Sequence, residues 1–155
     1  MLAPLKTSRW IEFGLATLIS CSALVVYIQT LSPTIDFIDS GELAAVTYTL
    51  GIAHPTGYPL FTLVGHIFSH LPLGLRVIYQ MNLMSAIFCA GGIFIFFHLL
   101  VFVMREIGGQ KFARAEQAKS NFKREIWFVF LPSIVGAATL AFSQTYWSQA
   151  LSVEV

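Results

Sequence analysis

Residues 33–59 read PTIDFIDSGELAAVTYTLGIAHPTGYP. They hold three of the chain's eight acidic residues, Asp36, Asp39 and Glu42, with His54 and three of the six prolines. Uncharged apolar runs flank this stretch: Phe13–Leu31, 19 residues, and Val77–Met104, 28 residues. A helix of about 20 apolar residues crosses the hydrocarbon core of a bilayer. The quoted stretch is therefore a polar, proline-punctuated interruption between two membrane-length segments. Its carboxylates are expected just outside the membrane.

The whole composition agrees. The chain of 155 residues is 56% hydrophobic and only 11% charged, with a mean hydropathy of +0.73. Soluble domains carry about 25% charged residues, so an ordinary soluble domain is excluded and an all-α integral membrane protein is predicted. The charge-dense segment 105–125, with six Lys/Arg and three Glu, reads as a solvated membrane-flanking loop, and no nucleic-acid partner is expected. Cys21 and Cys89 lie inside apolar runs without metal-ligand spacing and read as small buried hydrophobes. The start, MLAPLKTSRW, resembles a signal peptide, but the apolar run after it exceeds the 7–15 residues of a signal core. An uncleaved anchor is expected.

Three transmembrane helices are predicted, at about 13–31, 77–104 and 126–145. Trp10 and Tyr27 suit the aromatic belts at the borders of the first, and Pro33 stops it. Gly108-Gly109 is a plausible stop for the second. Between Leu43 and Leu75 no charge occurs, yet Gly51, Pro55, Gly57, Pro59 and Pro72 cut this segment into pieces. Glu42–Leu50 and Leu60–Leu71 then form short helices lying on the membrane surface, because pieces of 10–14 apolar residues are too short to span. Orientation follows from Lys/Arg bias: eight of the nine basic residues, Lys6, Arg9 and the six of 105–125, fall on one side. The N-terminus and loop 105–125 are thus expected in the cytoplasm, and loop 32–76 on the exoplasmic side.

Asp39-Ser40-Gly41-Glu42 has the pattern of a capping box, each side chain satisfying an orphan N–H at a helix start. It also fits a carboxylate at a membrane surface acting as general base. The two readings are compatible, and Asp36 reads as a solvated neighbour. His54-Pro55-Thr56-Gly57-Tyr58-Pro59 is a rigid turn signal. His66 and His70 share a helix face but lack the further ligands a zinc site needs, so no metal is expected. Asn82, near the outer end of the second span, is a candidate interhelical or site-lining hydrogen bonder. Trp147 and Glu154 lie two helical turns apart and return to the exoplasmic side.

The order PTIDFIDSGEL, LGIAHPTGYPLF, NLMSA and YWSQALSVEV resembles a family of multi-pass membrane proteins: the transmembrane protein O-mannosyltransferases and their bacterial relatives, which look like the GT-C class of glycosyltransferases. The resemblance covers about residues 31–155. It implies a polyprenyl- or dolichyl-phosphate sugar as donor, an acceptor protein or glycan, and a carboxylate of the first exoplasmic loop as base. By motif, Asp39 would be the catalytic base and Glu42 its support. His54 and Tyr58 would line the pocket, and Asn82 and Glu154 would close it from neighbouring helices. Thr56 departs from the family's second proline. Gln80 replaces a common basic residue, for which Arg76 could substitute. The family has more spans than three, so the resemblance implies the N-terminal part of a longer protein.

The function expected is a single inverting transfer of a sugar to an acceptor hydroxyl, on a bacterial inner membrane or, in a eukaryote, the endoplasmic reticulum membrane. No cofactor is expected. The alternatives are a transporter or lipid-handling protein, whose broken helices and polar groups line a path, and a non-catalytic membrane subunit.

Overall fold

The structure is a computed structural model, and it describes residues 6–36, 39–54, 58–112 and 126–153. Every regular element among them is helical: α1 Lys6–Thr30, α2 Ser40–Thr49, α3 Pro59–Ser69, α4 Val77–Phe112, a π-helical turn Ile126–Phe130, α5 Leu131–Ala141 and α6 Gln144–Leu151. The protein is an all-α membrane protein. Arg9–Thr30 and Val77–Ile107 are each long and apolar enough to span, and Ile126–Ala141 with Gln144–Leu151 adds a third if that broken pair is one span.

Two compact units divide the chain, Met1–Ala23 with Ala90–Ser143, and Leu24–Cys89 with Gln144–Val155. In the first, α1 and α4 approach closely enough for the Ser20 hydroxyl to donate to the Ala90 carbonyl at 2.6 Å. A Cβ built on Gly91 meets nothing within 4 Å, so Gly91 is not a point of close approach; Ala16, Ala23 and Ala90 are among the buried small residues. Glu12 sits inside α1, accepting from His98 Nδ1 at 2.8 Å and Arg105 Nη1 at 2.6 Å. This pairing lets the apolar helix begin before Phe13. α4 runs through Gly108-Gly109 to Phe112, past the predicted stop: glycine weakens a helix by about 1 kcal/mol without ending it.

The third apolar run is not one straight span. Pro132 occupies the first turn of α5, where its missing N–H costs nothing, and the turn before it is π-helical. At the other end the Ser143 N–H bonds the Leu140 carbonyl at 3.1 Å, a tightened last turn.

The second unit carries the loop between the spans. Tyr27 is fully buried in it, whereas Trp10 stands 72% exposed. The two short helices appear within two residues of their predicted bounds. α2 ends on Leu50, in the left-handed region at φ 54°, a conformation that the neighbouring glycine would have adopted at less cost. α3 lies tightly on α2 because residue 65 is glycine: an added Cβ would stand 2.5 Å from Thr47 Cγ2 and 2.8 Å from Met81 Cε. Leu43, Ala44, Ala53, Met81, Met84 and Val153 form the core beneath them.

Candidate functional site

Asp39 takes the N-cap position of α2, and its carbonyl accepts the Leu43 N–H at 2.9 Å. Its backbone is already helical, at φ −91° and ψ −11°, and its side chain makes no cap hydrogen bond. The capping box that the spacing suggested is therefore not formed. Its fourth residue is used elsewhere: Glu42 Oε1 accepts the backbone N–H of His54 at 2.8 Å, and Oε2 faces His54 Nδ1 at 3.3 Å. One carboxylate thus holds both the chain and the ring of a residue twelve positions on. A carboxylate can only accept, so Nδ1 carries the hydrogen opposite an ionised Glu42, and Nε2 of a neutral ring keeps its lone pair.

Tyr58 completes the arrangement. Its ring meets the His54 ring edge-on at 5.7 Å between centroids, and its backbone is held at φ 36°, a region that bulky residues rarely occupy. Functional atoms of Asp39, Glu42 and His54 all lie within 4.8 Å of one another. The three could hold a small cation by spacing alone, but Glu42 directs both its oxygens to His54, and a cation would compete with those contacts. The cluster is half-exposed, with side-chain exposures of 37% for His54 and 43% for Glu42. Among the described residues no hydrogen bond ties the Asp39 carboxylate, and a carboxylate beside a positioned imidazole is an arrangement suited to taking a proton from a hydroxyl.

The other predicted site residues lie differently. Asp36 is exposed in the loop before α2, and no contact joins it to the cluster among the described residues. Arg76 is exposed at the foot of α4, where its carbonyl accepts the Gln80 N–H at 3.0 Å. Asn82 is fully buried. Its amide donates to the Ser32 carbonyl at 2.9 Å and accepts the Val153 N–H at 3.0 Å. That ties α4 to the segments flanking it and leaves the side chain no face toward a substrate. Trp147 donates its indole N–H to Thr30 Oγ1 at 3.1 Å, joining α6 to the end of α1. Glu154 lies outside the described residues.

The His66–His70 pair is structural. His66 Nδ1 donates to the Thr47 carbonyl and His70 Nδ1 to the His66 carbonyl, each at 2.9 Å, and the His70 ring stacks on Tyr48 at 4.7 Å. Reading the sequence missed the Glu12–His98–Arg105 group. Its signal was present: a lone carboxylate at the edge of an apolar run, and a histidine and arginine seven residues apart, on one face of the next.

A family profile described as the protein O-mannosyl-transferase TMEM260 N-terminal domain matches residues 39–155, beginning at Asp39 itself. Among curated proteins, the protein O-mannosyl-transferase tmem260 of Dictyostelium discoideum is 49% identical over 53 residues, 34% of this chain and 6% of that protein. The protein O-mannosyl-transferase TMEM260 of Mus musculus is 43% identical over 70 residues, 44% of this chain and 10% of that protein. The matched stretches thus span at most a tenth of these relatives' lengths. No solved structure matches.

Proposed function

From the premise that this chain belongs to the protein O-mannosyl-transferase TMEM260 N-terminal domain family, we propose that it carries the proton-accepting part of a membrane glycosyltransferase. The donor is a polyprenyl- or dolichyl-phosphate sugar. The acceptor is a hydroxyl, Ser or Thr of an exported protein among the candidates. Transfer takes place on the exoplasmic side, in a bacterial inner membrane or the endoplasmic reticulum membrane of a eukaryote.

One observation carries the reading: Asp39, left out of the helix cap, stands within 4.8 Å of His54, which Glu42 holds. Asp39 takes the proton of the acceptor hydroxyl, whose oxygen bonds to the anomeric carbon as the bond to the lipid phosphate breaks. Positioned base catalysis is worth roughly 10²–10⁴-fold. Glu42, by motif the support of the catalytic base, becomes a positioning residue, because it acts through His54. Asn82 and Trp147 fix the segments around the cluster. The test is sugar transfer by the full-length protein in lipid vesicles, from a labelled polyprenyl-phosphate sugar to an exported acceptor. Labelled acceptor is expected, and uptake of substrate without any glycan product would replace the enzyme by a transporter.

A further inference from the structure

The His54 ring has two nitrogens, and the fold employs one. Glu42 Oε2 faces Nδ1 at 3.3 Å, and Oε1 takes the backbone N–H of the same residue at 2.8 Å. Nε2 is then the basic atom of the neutral ring. Tyr58 meets this ring edge-on at 5.7 Å between centroids, from a backbone held at φ 36°. Left-handed angles at a bulky residue persist only where the surroundings impose them, and they gather at functional sites. A ring 37% open to solvent is thus held through its backbone, by a carboxylate and by an aromatic edge.

An Asp39 oxygen, a Glu42 oxygen and a ring nitrogen of His54 lie within 4.8 Å of one another, a separation that one water can bridge. Asp39, Glu42 and Tyr58 are the titratable groups that meet or approach the ring among the described residues. With the ring neutral and both carboxylates ionised, the cluster holds two like charges close together. A proton on the ring makes an imidazolium against Glu42 and near Asp39, stabilised as the carboxylate of a hydrolase triad stabilises its histidine. A proton resting on Asp39 gains no such partner.

We propose that His54 is the second proton acceptor of the transfer, receiving at Nε2 the proton that Asp39 takes from the acceptor hydroxyl. The proposal rests on the reading of Asp39 as base and adds the route by which that base is restored. The hydroxyl O–H bond breaks, and the pair left on oxygen forms the bond to the anomeric carbon. The pair of the sugar–phosphate bond leaves with the phosphate. The proton moves from the Asp39 carboxyl to Nε2, directly or through one water, while Nδ1–H stays on Glu42. The half-exposed ring then gives the proton to solvent, and both carboxylates end as they began.

The test is chemical rescue of His54→Ala in the full-length protein in lipid vesicles, following transfer from a labelled polyprenyl-phosphate sugar. This substitution removes the ring but keeps the backbone N–H that Glu42 holds, and a thermal midpoint checks folding. Transfer should fall roughly 10²-fold. Added imidazole should raise it in proportion to concentration, more basic imidazoles should raise it further, and wild type should not respond. His54→Asn keeps an N–H donor toward Glu42 but has no basic nitrogen, so it should be as slow as His54→Ala. Three results overturn the proposal: wild-type transfer by His54→Asn, which leaves the ring a positioning role alone; no rescue of a folded His54→Ala; or rescue that a chelator abolishes, which makes the ring a metal ligand. Wild-type transfer by Asp39→Asn would instead remove the base reading beneath it. An inactive, folded Asp39→Asn with an unrescued His54→Ala removes the relay and leaves the base.

Discussion

Glu42 commits both carboxylate oxygens to one residue, and that makes Glu42 and His54 a unit. The contact joins two half-exposed groups, so it contributes only about 0.2–1 kcal/mol to stability; its value is in orientation. If Glu42 acts through His54, then Glu42→Gln and His54→Gln should each lower kcat/KM, and the double variant should be no worse than the poorer single one. Losses that multiply in the double variant would show that Glu42 meets the substrate independently. None of this pairing was legible in the sequence. The Asp39–Glu42 spacing pointed to a local reciprocal cap, whereas the twelve-residue return that brings back His54 depends on how α2 and the loop after it fold. What was legible was the presence of reactive groups there, because carboxylates between two apolar runs have no ordinary packing role. Asn82 shows the opposite case. A polar residue in a span is readable as a hydrogen bonder, but its backbone partners, Ser32 and Val153, come from two distant segments, and only the fold shows that they occupy its amide.

Among the elements, the pair α2 and α3 depends most on one small residue. An added methyl at position 65 would face Thr47, which is fully buried and bonded to the carbonyls of Leu43 and Ala44 at 2.8 and 3.0 Å. Met81 is flexible and can yield; a β-branched, bonded threonine cannot. Gly65→Ala should therefore destabilise the protein by about 1–3 kcal/mol, measured as a lowered thermal midpoint in detergent. Gly91→Ala, facing open space, should not lower it. Both short helices were visible in the sequence through proline and glycine punctuation. Their close contact was not, since a glycine needed for packing and one needed for a turn look alike in a string of letters. The third run, expected as one span over 126–145, bends by 57° between Ala141 and Gln144, and hydropathy does not register such a bend.

For the molecule as a whole, hydropathy and charge already define an all-α membrane protein, and two of its helices, Arg9–Thr30 and Val77–Ile107, are long and apolar enough to span. Sidedness is a separate proposal: with three spans, eight of the nine basic residues would fall on one side. With Cys21 and Cys89 replaced, a cysteine at Thr34 should react with a membrane-impermeant maleimide added outside intact cells. One at Ala118 should react only after the cells are opened, and the reverse pattern would move the whole site to the cytoplasm. The family match begins at Asp39, and the structure leaves that carboxylate uncapped beside a held imidazole. Under the proposed function, Asp39 moves a proton during sugar transfer. Its most direct test compares full-length wild-type protein with Asp39→Asn in vesicles, following transfer from a labelled polyprenyl-phosphate sugar, with thermal midpoints measured on both. A fall of roughly 10²–10⁴-fold at an unchanged midpoint is expected. Transfer at the wild-type rate by a folded Asp39→Asn protein would contradict it.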